Sequence, residues 1–137
     1  MNNVLVDTNV FVYAIDSDSK YHVAAKRFLE YGTNNLFTTS KNLSEILVVL
    51  TRGSIVIVNI ETAIKTVKSI SQTVNILYPS EHSYSIFLEL LSKYKPKGLH
   101  IHDFEIVSIG LAFGISKFVT FDRSDFENIK EVELIQI

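Results

Sequence analysis

The sequence contains no cysteine, and that one absence removes disulfide frameworks, thiolate zinc sites, iron–sulfur clusters and cysteine nucleophiles together. A reducing, cytoplasmic setting is the expectation that fits. Long apolar runs are missing too: the uncharged stretch Ile106 to Ser116 has eleven residues, where a membrane span needs ~18 or more. The opening Met1-Asn2-Asn3-Val4-Leu5-Val6-Asp7 has no basic residue and meets a charge after three apolar ones, so no secretory leader is expected. The expectation is a soluble protein with no membrane partner. No Gly-x-x-x-x-Gly-Lys loop and no Gly-x-Gly-x-x-Gly turn occur, which excludes nucleotide binding by those phosphate cradles. Repeats and low-complexity stretches are absent as well.

What is present suffices for one core. The chain has 137 residues, 47% hydrophobic and 20% charged, which rules out intrinsic disorder and predicts a single domain over 1–137. Val4-Leu5-Val6 is a continuous apolar run, the mark of a strand buried on both faces of a parallel sheet. A short helix through Val10 to Ala14 follows, then a clearer one over about 20–31, capped by Ser19 and stopped by Gly32. Leu36 to Thr39 reads as a second strand, and Ser40 as the cap of a helix with Leu43, Ile46, Leu47 and Leu50 at core spacing, ended by Gly53. The run Ile55 to Val58 reads equally as a strand or as a linker. Two more helices are expected, over about 61–73 and after Ser80 to Tyr94, before Pro96-Lys97-Gly98 breaks the chain. The last unit is a helix from Asp103 to Phe113, a stop at Gly114, a strand over 118–121 and a terminal strand over 134–137. Strands alternating with helices predict an α/β three-layer sandwich with a mainly parallel central sheet.

In open α/β sheets the ligand crevice lies at the carboxyl ends of the strands. Asp7 and Asp122 fall at two such ends, and Glu45 and Asp103 lie in or near the first turns of helices entered from that edge. Each acid has a structural alternative. Asp7 can be a turn or cap residue, Asp103 an N-cap, Glu45 a solvated charge, and Asp122 and Asp125 turn residues. Jointly placed, they repel one another unless cations sit between them, and Mg²⁺ or Mn²⁺ is the simplest such cation. The net charge is −2, and setting aside four carboxylates in a metal-filled pocket leaves a remainder of +2, compatible with a phosphate-bearing substrate.

On these residues the chain resembles the PIN-domain nucleases, and among them the toxin ribonucleases of VapBC toxin–antitoxin pairs. Val4-Leu5-Val6-Asp7-Thr8-Asn9-Val10 is similar to the family's opening strand and its Asp-Thr/Ser-Asn signature. Thr39-Ser40-Lys41-Asn42-Leu43-Ser44-Glu45 and Ile101-His102-Asp103 resemble the segments of the second and third acids. Val119-Thr120-Phe121-Asp122-Arg123-Ser124-Asp125-Phe126 is similar to the Thr-x-Asp motif of the fourth. The chain departs in having Phe104-Glu105 where a small residue often follows the third acid, and Ser108 and Gly110 where alanines are frequent. The resemblance implies a PIN-like fold and a Mg²⁺-dependent (or Mn²⁺-dependent) endoribonuclease with Asp7, Glu45, Asp103 and Asp122 as catalytic metal ligands. Thr8, Asn9 and Thr120 would orient them, with Asp125 auxiliary. It also implies an RNA substrate, a small antitoxin protein and a homodimer.

Other features carry less. His100 and His102, at i, i+2, would share one face of a strand, and a surface or supporting role is expected for them rather than ligation. Lys93, Lys95 and Lys97 form a basic loop, read either as a phosphate contact or as a solvated turn, with Lys41 and Arg123 the cations nearest the acids in sequence. Two rival functions are compatible with the same acids: a catalytically idle PIN-fold RNA-binding or scaffold protein, and a metal-dependent phosphatase. The phosphatase would want an acid two residues after Asp7, where Asn9 stands.

Overall fold

The computed structural model describes residues 2–53 and 58–137. Five strands, β1 (Asn3–Val6), β2 (Asn35–Thr39), β3 (Asn75–Leu77), β4 (Lys117–Val119) and β5 (Glu133–Ile135), form one sheet in the order β3-β2-β1-β4-β5. Every pairing is parallel, so the expected "mainly parallel" sheet is wholly parallel among the described residues. Six α-helices accompany it there: α1 (Thr8–Ile15), α2 (His22–Tyr31), α3 (Ser40–Thr51), α4 (Ile60–Thr73), α5 (Glu81–Tyr94) and α6 (His100–Ala112). A 3₁₀ turn covers Arg123–Asp125. No described helix is long and apolar enough to cross a membrane.

The continuous apolar run of β1 has the reason the sequence suggests. Val4, Leu5 and Val6 are all fully buried, because both faces of the central strand are covered. Leu5 joins one core with Phe118 of β4 and Phe104, Ile106, Val107 and Ile109 of α6. Val4 and Val6 join a second core on the other face with Val10, Phe11, Ala25, Ile46, Leu50 and Ala63 from α1 to α4. Helices on both faces make three layers. Burying each such side chain contributes roughly 1.5–3 kcal/mol.

The strands expected over 118–121 and 134–137 end earlier, at Val119 and Ile135, where the chain turns off the sheet, and four further details differ from expectation. Thr39, not Ser40, caps α3: its Oγ1 accepts from the Asn42 amide at 3.1 Å while the Asn42 carboxamide accepts from Thr39 N. Helix α2 begins at His22 behind Tyr21, and Ser19 closes the preceding turn by accepting from Tyr21 N. Strand β3 was not foreseen, since it holds three residues and follows α4 across Val74 alone. Helix α6 starts at His100, three residues before Asp103. The ambiguous 55–58 run lies, save for Val58, outside the described residues.

The sheet order turns back on itself at β1, with β2 and β3 to one side and β4 and β5 to the other. A crevice at the carboxyl ends of β1 and β4 follows from that topology. Near its C-terminal end α6 packs closely on these strands at Gly110, where a Cβ would lie 3.0 Å from the side chains of Leu5 and Phe118, so the glycine lets the helix press onto β1 and β4.

Candidate active site

Asp7 follows β1 directly and caps α1, its Oδ1 accepting from Thr8 N at 2.9 Å. Its cap role does not exhaust it. Oδ2 accepts from Thr120 Oγ1 at 2.8 Å and Asn9 Nδ2 at 3.5 Å, and Oδ1 also accepts from Asn42 Nδ2 at 3.3 Å. Thr120 arrives beside Asp7 because β4 pairs with β1, and the Asp7 amide donates to Val119 O at 3.0 Å. Asn9 ties the two segments together, donating to Thr120 Oγ1 at 3.1 Å and accepting from Phe121 N at 3.1 Å. Thr120 Oγ1 also accepts from the Asp122 amide at 3.0 Å, which fixes the turn carrying that acid. On the α3 side, Thr8 Oγ1 donates to Glu45 Oε2 at 2.7 Å, so Glu45 points inward rather than to solvent. Asn42 holds Thr8 in turn at 3.0 Å.

These elements enclose a cavity of about 270 Å³ lined by Asp7, Glu45, Asp103, Asp122 and Asp125, with Thr8, Asn9, Tyr13 and Arg52 also on its wall. Burial pushes the Asp7 carboxyl up to about 6, with Glu45 and Asp103 adding repulsion against the hydrogen bonds from Thr120 and Thr8. Asp103 is likewise raised to about 6, first by burial and then by Asp125, despite the bond from His100. Burial and the neighbouring Asp122 raise the Tyr13 phenol as well. The groups that orient Asp7 and Glu45 are neutral hydroxyls and amides, which position a carboxylate without cancelling its charge.

Among the described residues, one group of three donors lies close together beside the cavity. Donor atoms of His100, Asp103 and Asp125 all lie within 4.8 Å of one another, with His100 Nδ1 at 3.2 Å from Asp103 Oδ2 and 4.0 Å from Asp125 Oδ1. On a helix, i, i+2 side chains diverge. The shared face that a strand would give the two histidines is therefore absent: His100 reaches Asp103, while His102 lines a neighbouring groove with Lys41, Ser44, Val48 and Arg52. Carboxylate oxygens in such number are the donor set a hard divalent cation takes, so the residues fit a Mg²⁺ or Mn²⁺ site.

The lysines have other employment. Lys93 bonds Glu131 Oε2 at 2.8 Å, Lys95 is the left-handed C-cap of α5, and none of Lys93, Lys95 and Lys97 lines the acidic cavity. Lys41 faces Glu105 at 3.5 Å, and Arg123 is exposed in the 3₁₀ turn. Sequence reasoning overlooked Asn42 and Tyr13. The first carries a readable signal, a Thr-x-x-Asn capping box whose amide is left over to reach Asp7; the second carries none.

The fold and the cavity define an α/β protein with a carboxylate centre at the switch point of a parallel sheet. The chain belongs to the PIN domain family, whose model matches residues 4–132. No curated protein matches it in sequence. Among solved structures it is similar to VapBC2 from Rickettsia felis, bound to a DNA fragment from their promoter, with TM-score 0.74, 19% identity and 97% of each chain covered. It is also similar to VapC20 from Mycobacterium tuberculosis, a sarcin–ricin loop cleaving toxin, with TM-score 0.71, 18% identity, and 89% of this chain and 92% of that one covered. A toxin–antitoxin complex from Klebsiella pneumoniae gives TM-score 0.69 at 19% identity, over 97% of this chain and 96% of that one. At these identities the likeness is one of fold.

Proposed function

We propose that the chain acts as a single PIN nuclease domain, a Mg²⁺- or Mn²⁺-dependent endoribonuclease, and is the toxin of a toxin–antitoxin pair. The observation that carries this reading is the convergence of five carboxylates on one cavity at the carboxyl ends of β1 and β4, two of them pushed up to about 6. Such an arrangement costs stability unless a cation completes it. Asp7, Glu45, Asp103 and Asp122 would hold the metal, with Asp125 close beside Asp103. A bound divalent cation supplies activation of water near neutral pH and neutralises charge that develops on the phosphodiester.

The chain's own residues do the positioning. Thr120 and Asn9 fix one oxygen of Asp7, Thr8 fixes Glu45, and Asn42 braces both Asp7 and Thr8, so the acids keep their directions without a neutralising partner among these contacts. Misplacing an attacking water by about an ångström costs on the order of 100-fold in rate, which is why this scaffolding matters. No side-chain nucleophile is required. Asn9 is committed to Thr120 and Phe121, and nothing in the cavity favours the phosphatase reading. The similar VapBC and toxin–antitoxin complexes support a small antitoxin as the partner of this chain, and a homodimer and a cytoplasmic setting belong to the same proposal.

The test is direct. Purified protein cleaves single-stranded RNA with Mg²⁺ or Mn²⁺, stops with EDTA, and loses cleavage in Asp122→Asn with the fold intact. Unchanged cleavage in that variant, or none in the parent, refutes the reading, and binding without cleavage by the parent selects the idle-scaffold alternative.

A further inference from the structure

Three aromatic rings meet beside the acidic cavity. Tyr13 of α1 lines the cavity, and Phe121 immediately precedes Asp122. Tyr21, at the entry to α2, stacks on Phe121 with centroids 4.5 Å apart and planes 24° apart, and its centroid lies 5.3 Å from that of Tyr13. Tyr13 and Phe121 complete the triangle at 5.5 Å. Polar contacts set the backbone of each ring: the Tyr13 carbonyl lies 2.9 Å from His22 Nδ1, Tyr21 N donates to Ser19 Oγ, and Phe121 N donates to Asn9 Oδ1.

Core packing accounts for two of the rings and not for the third. Tyr13 and Phe121 pack against the core that contains Val6, Val10 and Val119, whereas Tyr21 is among the residues of neither core. It stays half-exposed, with the exposed Lys20 placing Nζ 5.0 Å from its ring centroid. A stacked ring beside a cation, continuous with a carboxylate centre, matches the pairing of π-face and positive charge that holds unpaired nucleotides.

We propose that Tyr21, with Tyr13 and Phe121 behind it, is a nucleobase subsite that stacks the base of a nucleotide next to the scissile phosphate, the exposed Lys20 side chain swinging off the ring to face the backbone. The inference rests on the endoribonuclease reading and adds to it the residue that holds the base: the nucleotide must be unstacked to enter, because a base inside a duplex has both faces covered by its neighbours. Tyr21 is on this account a positioning residue that acts on the substrate, away from the metal.

The experiment measures binding with Mg²⁺ present, every protein in the binding arm carrying Asp122→Asn so that nothing is cleaved, of a fluorescent oligoribonucleotide with one cleavage site and of copies made abasic at one nucleotide at a time. For the parent protein, one abasic position beside the cleavage site weakens Kd roughly tenfold, the size of one lost base–aromatic stack. Tyr21→Ala weakens the intact RNA by the same factor and becomes indifferent to that position. Tyr21→Leu, which keeps bulk and lacks a π-face, behaves like Tyr21→Ala, and Tyr21→Phe behaves like the parent. Calorimetric Mn²⁺ affinity is the same in all four proteins. Parent-like binding by Tyr21→Ala or Tyr21→Leu overturns the subsite, as does an equal loss on intact and on every abasic RNA. Cleavage of RNA by the parent with no abasic-sensitive position overturns the subsite alone; absence of both binding and cleavage overturns the nuclease reading and the subsite with it.

Discussion

Glu131 and Asp103 are both partly buried acids next to a potential cation, and the molecule treats them in opposite ways. Glu131, just ahead of β5, accepts from Lys93 Nζ at 2.8 Å and from the Tyr94 hydroxyl, which also accepts from Lys130 N at 2.9 Å. Burial alone would raise this carboxyl, but those two hydrogen bonds outweigh it and hold it below the ordinary glutamate value. Asp103 has His100 at 3.2 Å, yet burial and Asp125 keep it raised to about 6. The contrast separates an acid that fastens the C-terminal segment to α5 from acids held against their electrostatic preference. Where pairing outweighs burial, as at Glu131, the side chain contributes to the fold; where burial and neighbouring carboxylates outweigh the one nearby imidazole, as at Asp103, the acid is held at a cost that a cation would relieve.

The largest effect that can break this contrast is on chemistry. Asp7→Asn and Asp103→Asn each lower RNA cleavage by on the order of 100-fold or more, while Glu131→Gln leaves it within a factor of about two, measured as kcat/KM at pH 7.5. Next comes Asn42→Ala, which removes half of the α3 capping box and the brace on Asp7 and Thr8. It costs about 1–2 kcal/mol by urea denaturation and lowers cleavage as well. A smaller effect, with a sign that depends on pH, sharpens the contrast. Folded Asp103 keeps its proton to about 6 against an ordinary value of 3.8, so the metal-free folded state binds more protons over that interval and stability falls as pH rises through it. Asp103→Asn therefore raises the melting temperature of metal-free protein by a few degrees at pH 7.5 and leaves it unchanged at pH 3.5. Glu131→Gln does the reverse, lowering the melting temperature at pH 7.5 and losing its effect in acid, because a depressed carboxyl stabilises only above its unfolded value. The smallest effect is that of Tyr94→Phe, about 1 kcal/mol of stability for the lost hydrogen bonds, with cleavage unaltered.

The features legible in the sequence share one property, which is locality. Val4-Leu5-Val6 declares a strand covered on both faces because burial of consecutive residues leaves no polar alternation to read. Gly53 and Gly114 mark helix ends because each takes a positive φ, of 76° and 75°, that other residues resist. The position of Asp7 at a strand end follows from the same reasoning, while Asp122 lies three residues past β4, in the turn that Thr120 fixes, and the fold brings both to one cavity with Glu45, Asp103 and Asp125. Features made by distant partners were not legible. Ser40 and Thr39 are equally good caps on paper, and only the Asn42 side chain turning back decides between them. The sequence places the start of α6 at Asp103, because nothing after Pro96-Lys97-Gly98 signals that the helix begins at His100. Strand β3 is too short to show a period, and its edge place depends on pairing with β2. The ring cluster joins Tyr13 and Tyr21 to a residue about a hundred positions away, which no local pattern announces.

If the cavity acids hold a divalent cation, calorimetric titration of the metal-free protein with Mn²⁺ gives saturable binding at pH 7.5 that weakens at pH 5, where protons occupy carboxyls raised to about 6. Asp103→Asn then abolishes most of the signal and Glu131→Gln none of it. Absence of binding at millimolar Mn²⁺ and pH 7.5, or binding that Asp103→Asn leaves intact, rules out a cation at these acids.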